Sequence, residues 1–405
     1  MTQHDDDRVL IAGGGPVGYT VATILAQKGI PFVLLEAGDR VFDEPRAGTI
    51  HPPTLELYDT IGATDEMIRR GFTVSNYKYW DRAEGLVAEF DLSKLADETR
   101  FPFRLMLEQH KVCYVLQDML AELGGADVRL NHRVTDVTQD DEFVTATVET
   151  PNGTETIRGR YIVGCDGGRS QVRKSMDVEF EGFTYDERFL ILSTPYDFGE
   201  LGYAFTNYIA DPVAWRALFK VPGADGTGMW RVVSPVDPTL PEEELFAEDA
   251  VQARLQDFHA IDGDYDVVHR NVYNVHQRVA SRYVDGRKLL AGDSAHINNP
   301  LGGMGMNFGI QDAFNLTDKL IQVWFEGADP EEQFGLYDRQ RRTVAQQYLQ
   351  TQTIENKKNL ENKDPVERKR FQDDLRAITQ DPERLHAYLL RVAMIEGFRR
   401  SLTID

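Results

Sequence analysis

The residues with the most to say about chemistry are glycines set beside acids. Gly13-x-Gly15-x-x-Gly18 follows directly on the apolar run Val9-Leu10-Ile11 and leads, through Pro16 and Val17, into a helical stretch that reaches about Lys28 and is capped by Gly29. Gly13 permits a tight turn, Gly15 bares backbone to a pyrophosphate, and Gly18 lets the helix lie close to the strand. A diphosphate there meets the free N–H groups and partial positive charge of a helix start. The next strand, Phe32 to Leu35, ends in Glu36. A carboxylate at that place accepts hydrogen bonds from both hydroxyls of an adenosine ribose and repels a 2′-phosphate. The tightly held ligand is therefore expected to be FAD or NAD, not NADP.

Two further stretches repeat the pairing of acid and glycine. Tyr161 to Gly164 reads as a buried strand followed by Asp166-Gly167, and Arg287 to Ala291 as another followed by Gly292-Asp293. The C-terminal ends of parallel strands are where ligands sit in open α/β sheets. Pro300-Leu-Gly-Gly303-Met-Gly305-Met306-Asn307 then opens a long helix toward Phe325, and its bared N-terminus suits the N1/O2 edge of a reduced, anionic flavin. No second GxGxxG with its own βαβ unit occurs, which argues against a separate NAD(P)H-binding domain.

Other candidates are single side chains, each with an ordinary structural reading beside the functional one. Arg46, in the loop Pro45 to His51, either faces a flavin or is a surface charge. Tyr273 lies on a strand-like stretch returning from a second sheet, where two domains should meet. It is either core or a hydroxyl that orients a substrate and relays its proton. His51 and Arg216 are weaker candidates for the same pocket. Gly292-Asp-Ser-Ala-His296 holds serine, aspartate and histidine, yet it lacks GxSxG, and neighbours on one strand end make a poor triad. The nine histidines show no metal-ligand spacing, so no metal site is expected.

The chain of 405 residues, 41% hydrophobic and 27% charged, has the composition of a soluble globular protein of about two domains. Its net charge of −22 and pI near 4.8 repel nucleic acid and anionic lipid. No apolar run is long enough to span a membrane, and Met1 to Arg8 is too acidic for a signal peptide, so a cytoplasmic protein is expected. Cys113 and Cys165 read as packing residues. The expected architecture is α/β. A discontinuous Rossmann-like domain (1–71, 105–179, 275–328) has a parallel sheet and a β-meander, and a mostly antiparallel substrate-binding sheet domain takes up 72–104 and 180–274. A helical region, 329–405, serves as cover or as a homodimer surface. Within this frame a helix is expected from about Thr54, another over Leu105 to Leu123, and meander strands over Val128 to Arg133, Glu142 to Glu149 and Thr154 to Arg158. Helices after Gly327 are expected with Asp329-Pro330, Asp364-Pro365 and Asp381-Pro382 as starts.

The three glycine–acid motifs in this order resemble the single-component FAD-dependent aromatic hydroxylases, the p-hydroxybenzoate hydroxylase and phenol hydroxylase group, over residues 8 to 340. The resemblance implies hydroxylation of a small phenolic or heteroaromatic substrate with NADH or NADPH and O2, through a C4a-hydroperoxyflavin. It also implies roles. Glu36 holds the adenosine ribose, Arg46 and Gln109 approach the flavin and its ribityl chain, and Val134 lies beside the adenine. Asp166 and Gly167 hold the diphosphate region, Asp293 binds ribityl hydroxyls, and Met306 and Asn307 present backbone to the isoalloxazine. Tyr273 matches by position a tyrosine near flavin and substrate. Such proteins often carry an aspartate just after the Arg-Ala pair; Gly48 stands here, so that acid–base role does not carry over. The tryptophan motif of flavin-dependent halogenases is absent, the nearest stretch being Gly228-Met-Trp-Arg231. An epoxidase or double-bond reductase on the same scaffold, a hydrolase and a non-catalytic FAD-binding protein are the alternatives.

Overall fold

The computed structural model describes residues 6–42 and 48–405. Its first layer is a six-stranded sheet in the order Val284–Asp285, Lys288–Leu290, Tyr161–Gly164, Val9–Ala12, Phe32–Leu35, Asp127–Arg129. All neighbours are parallel except the hairpin formed by the first two. Val9–Ala12 is buried on both faces, as its unbroken apolar run demands. The helix Pro16–Lys28 covers it, begins with proline in its first turn, and stops at Gly29, whose φ of 69° is the left-handed cap. A three-stranded antiparallel meander, Arg133–Gln139, Val144–Thr150 and Gly153–Gly159, follows.

The second layer is an eight-stranded sheet: His296–Ile297, His269–Ala280, Phe180–Thr194, Met229–Val236, Arg216–Val221, Thr206–Ala210, Asn76–Asp81, Gly85–Asp91. Every pairing is antiparallel except that between Thr206–Ala210 and Asn76–Asp81. The mixed α/β architecture expected from the sequence is therefore present. The strand His269–Ala280 runs straight through the domain boundary placed at residues 274 and 275.

Local expectations fail or shift in four places. The helix begins at Gln109, not Leu105, because Arg104–Met106 is a strand paired to both Thr49–Ile50 and Phe72–Val74. Asn131, at φ 56°, breaks the run from Val128 to Arg133 into the end of one strand and the start of another. The helix expected from about Thr54 is present and starts two residues earlier, at Pro52. Two helices, Glu242–Phe246 and Glu248–Phe258, interrupt the region read as strand and turn.

The C-terminal helices do more than cover. Asp329, Asp364 and Asp381 each accept backbone N–H bonds as N-caps before proline, as read from the sequence. Phe334 and Tyr337 join the core under the six-stranded sheet, whereas Leu375, Ile378, Leu385 and Leu389 join the core against the eight-stranded one. This segment packs into both layers.

Candidate active site

Between the two layers lies a cavity of about 890 Å³, within the range of cofactor-sized sites. One side is backbone. Gly13, Gly14 and Gly15 turn from the first strand into its helix, with Gly13 at φ 103° and its N–H donating to Leu35 O at 2.8 Å. A Cβ on Gly18 would fall 1.9 Å from Gly13 O, so the helix can approach the turn only with glycine there. A Cβ on Gly15 would meet nothing within 4 Å: that backbone faces open cavity. Glu36 is fixed at the far end, its carboxylate accepting from Gly14 N at 2.5 Å and from Gly38 N at 2.7 Å.

The second and third motifs converge on the same space. Asp166 accepts from the N–H groups of Gln171 at 2.7 Å and Val172 at 3.3 Å through Oδ2, while its buried Oδ1 has no hydrogen-bond partner among the described residues. Burial raises its pKa. Asp293, Pro300, Gly303, Gly305 and Met306 line the cavity from the opposite side. Their support is a buried ion network. Asp312 accepts from Gly292 N at 3.1 Å, lies 2.7 Å from His296 Nε2, and accepts from Arg341 Nε at 2.6 Å. Its pKa is lowered, although burial, the largest influence on it, acts the other way; His296 and Arg341 supply the opposing pull. Tyr337 donates to Leu290 O at 2.6 Å beside it. The acid–glycine pair is thus held from the C-terminal helix Pro330–Val344.

The remaining wall is one face of the eight-stranded sheet. Phe219 stands directly opposite Arg231, and Val233 opposite Ile191, which in turn faces Asn271; Tyr273 continues that face two residues on. Ile191, Phe219, Val221 and Val233 make it apolar. Arg231 is the exception, a guanidinium only 6% exposed, and burial draws its pKa down to about 10 against the opposing pull of Glu108. A Cβ on Gly48 would come within 3.5 Å of Arg231 Nη1 and 3.1 Å of Val221 Cγ1. Glycine at 48, where an aspartate is common in the resembling family, leaves that space to the arginine.

Comparison with known proteins shows the family to which this fold belongs. The FAD binding domain family matches residues 6–352. Para-nitrophenol 4-monooxygenase of Pseudomonas sp. (strain WBC-3) is 35% identical over 97% of both chains. The 6-hydroxy-3-succinoylpyridine 3-monooxygenase of Pseudomonas putida is 30% identical over 96% of this chain and 98% of its own. The crystal structure of p-nitrophenol 4-monooxygenase from Pseudomonas putida DLL-E4 superposes with a TM-score of 0.91 at 33% identity, covering 97% of this chain and 98% of that one. This chain belongs to the FAD-dependent aromatic monooxygenases. FAD fits the residues of this monooxygenase: the bare Gly15 backbone, the Glu36 carboxylate at the end of the second strand and the Asp166 Oδ1 without a hydrogen-bond partner among the described residues are each what a dinucleotide can use. Protonated, Asp166 can donate to a phosphate oxygen; ionised, it can accept from a hydroxyl.

Of the residues singled out from the sequence, Gly13, Gly15, Pro16, Val17, Glu36, Gln109, Val134, Asp166, Gly167, Asp293, Pro300, Gly303, Gly305, Met306 and Tyr273 line this one cavity. Arg46 lies outside the described residues. Three others act from behind it. Gly18 packs on the turn, and Gly292, at φ 68°, is wedged where a Cβ would sit 2.8 Å from Val17 Cγ2. Asn307 is wholly buried, accepting from His51 N and donating to the carbonyls of Thr49 and Gly303, each at 2.8 Å, so it stitches two loops together by its side chain.

His51 and Arg216 need correction as pocket residues. His51 is fully buried behind the glycine loop, its Nε2 2.9 Å from Gly302 O, and burial, reinforced by Arg104, lowers its pKa to about 3. Strand alternation turns Arg216 to the opposite face from Phe219, where its guanidinium lies 3.3 Å from Asp257. The hydrolase alternative also fails on geometry. Ser294 Oγ is buried and donates to Ala291 O at 2.8 Å, while His296 is bound to Asp312 instead. Sequence reading missed Arg231, and a signal was present: an arginine alternating with Met229 and Val233 on a strand otherwise fit for burial.

Proposed function

We propose that this enzyme hydroxylates a phenol bearing an electron-withdrawing para substituent, taken up as the phenolate, with NADH or NADPH as reductant. The carrying observation is Arg231, a buried guanidinium on an apolar cavity wall in a protein of net charge −22. A phenolate, or the negative oxygens of a nitro group, is drawn to a positive charge on an apolar cavity wall, whereas a neutral ring gains little from it. The relatives, a para-nitrophenol 4-monooxygenase and a 6-hydroxy-3-succinoylpyridine 3-monooxygenase, act on acidic hydroxylated rings. An ordinary phenol ionises near about 10, and a para-nitro group brings that down toward neutrality.

Bound FAD supplies acceptance of hydride from NAD(P)H and the activation of O2 from which an oxygen atom reaches the ring. The chain does the remainder. Ile191, Phe219, Val221 and Val233 exclude water and lie against the ring. Strand spacing sets the Cα atoms of Arg231 and Tyr273 roughly 16 Å apart, so their side chains reach toward opposite ends of one ring. The Tyr273 hydroxyl, whose pKa burial raises, stays protonated and hydrogen-bonds the ring oxygen or relays its proton. Arg133, Arg169 and Lys174, exposed on the cavity rim, are the cations we assign to the phosphates of NAD(P)H. We assign the enzyme to the cytoplasm on its unpaired Cys113 and Cys165 and its need for NAD(P)H.

For para-nitrophenol the balance is one substrate, one O2 and one NAD(P)H giving one para-benzoquinone, one nitrite, one NAD(P)⁺ and one water. FAD-loaded enzyme should be offered para-nitrophenol, unsubstituted phenol and neutral aromatic ethers with NADH and with NADPH, while nitrite and quinone are quantified under ¹⁸O2. The expected result is stimulated NAD(P)H oxidation with stoichiometric nitrite and one ¹⁸O in the product. Consumption of NAD(P)H that yields only hydrogen peroxide with every phenol, or a preference for the ethers, would overturn the reading.

A further inference from the structure

A second cavity of about 50 Å³ lies behind the glycine loop, lined by Tyr77, Tyr79, Arg104, Tyr208, Gln352 and Tyr388 among others, and it meets the large cavity only at Met304. Its defining feature is Arg104. This guanidinium is 3% exposed, forms no ion pair with any carboxylate among the described residues, and donates from Nη2 to Val392 O at 3.3 Å and, more loosely, toward the Tyr208 hydroxyl. Its Nε has no partner. It is stacked 4.6 Å from the centre of the Tyr77 ring, and the buried Tyr77 hydroxyl makes only a loose contact with the Tyr388 hydroxyl, short of hydrogen-bonding geometry. The hydroxyls of Tyr208 and Tyr388 feel the same charge. The Gln352 amide has its oxygen unsatisfied, and rotation of that amide presents its NH₂ instead.

A buried cation normally has an anionic partner, because an isolated one costs several kcal/mol of desolvation. Here the partner is missing while donors converge on a hole: Arg104 Nε, Tyr77 O–H and a rotatable amide. The space is far smaller than the roughly 150 Å³ that admits benzene, which excludes a second aromatic site, yet it exceeds the about 10–15 Å³ that one water needs. Carboxylate side chains are absent from its lining.

We propose that this cavity binds one small monovalent anion, chloride or another halide, paired to Arg104 and hydrogen-bonded by Tyr77. Gly302 links it to the active site, since its carbonyl lies 2.9 Å from His51 Nε2 and the next residue, Gly303, lines the large cavity. Halide occupancy therefore stiffens the loop that carries Gly303, Gly305 and Met306, and adds stability in proportion to the logarithm of halide concentration once the site is filled.

The test uses the FAD-loaded enzyme with bromide as probe. Crystals soaked in sodium bromide should show an anomalous peak at hydrogen-bonding distance from Arg104 and Tyr77. In solution, chloride or bromide should raise Tm by roughly 2–4 °C over sodium gluconate at equal ionic strength, and the increment should vanish in Arg104→Gln and shrink in Tyr77→Phe. A site holding water alone, with no anomalous peak in the parent enzyme, overturns the proposal. So does a salt effect equal for gluconate and halide, or one retained in both variants. The parent crystal decides even if Arg104→Gln does not fold.

Discussion

The two sides of the active-site cavity are built on different principles. The side we assign to FAD is backbone: turns at Gly13–Gly15 and Gly303–Gly305, with acids pinned by N–H groups, so its geometry follows from where a Cβ cannot be. The side we assign to the substrate is side chain: an antiparallel face whose cavity residues alternate along strands far apart in sequence, so its chemistry follows from register. A backbone site tolerates almost no substitution and serves one cofactor. A side-chain site can change its ligand by a single residue without loss of fold.

The sharpest way to probe this contrast is beneath the backbone side. Arg341→Met removes the cation that holds Asp312, leaving a buried carboxylate short of one partner under Gly292 and Asp293. The expected loss is about 3–5 kcal/mol in denaturant unfolding, with FAD released early in the transition. Stability within about 1 kcal/mol of the parent would mean that the network does not support the cradle. Next in size, Gly18→Ala drives a methyl into Gly13 O and should cost about 3 kcal/mol and most of the bound flavin, whereas an alanine at half-buried Gly335, which would meet only the movable Arg339 guanidinium, should do neither.

The smallest expected effect concerns His51. Its folded pKa, lowered to about 3, lies below the about 6.5 of an unfolded histidine, so the unfolded state binds the extra proton. The stability this contributes is complete above about pH 6.5 and is lost as pH falls toward 3, reaching about 1.4 kcal/mol by pH 5.5. His51→Gln should flatten the fall of unfolding free energy between pH 6.5 and 5. An unchanged slope would show that His51 does not titrate on unfolding.

The same contrast governs what could be read from sequence. Gly13-x-Gly15-x-x-Gly18 with Glu36, the meander, the three Asp-Pro helix starts and most of the FAD-side cavity lining were legible because each depends on neighbours in the chain. Arg231 was legible only as an arginine on a strand fit for burial; its place opposite Phe219 on the cavity wall comes from the pairing of two strands. Arg216, fifteen residues earlier, looks equally eligible until alternation turns it away from the cavity. His51 misled for a related reason: nothing local reveals that Asn307, 256 residues on, accepts its N–H and draws it behind the loop. Arg104 passed unnoticed because a buried unpaired cation is visible only once its surroundings are.

The most direct test of the division is reciprocal and needs two variants. FAD dissociation constants and steady-state kinetics with para-nitrophenol should be measured on Arg231→Met and Glu36→Ala. The account predicts that Arg231→Met keeps FAD affinity within about twofold and raises KM for the phenolate by about 10–100-fold, the worth of one charge-assisted hydrogen bond. It predicts that Glu36→Ala weakens FAD by a similar factor and leaves KM at saturating FAD unchanged. Loss of FAD in Arg231→Met, or an unaltered KM for the phenolate, would contradict it.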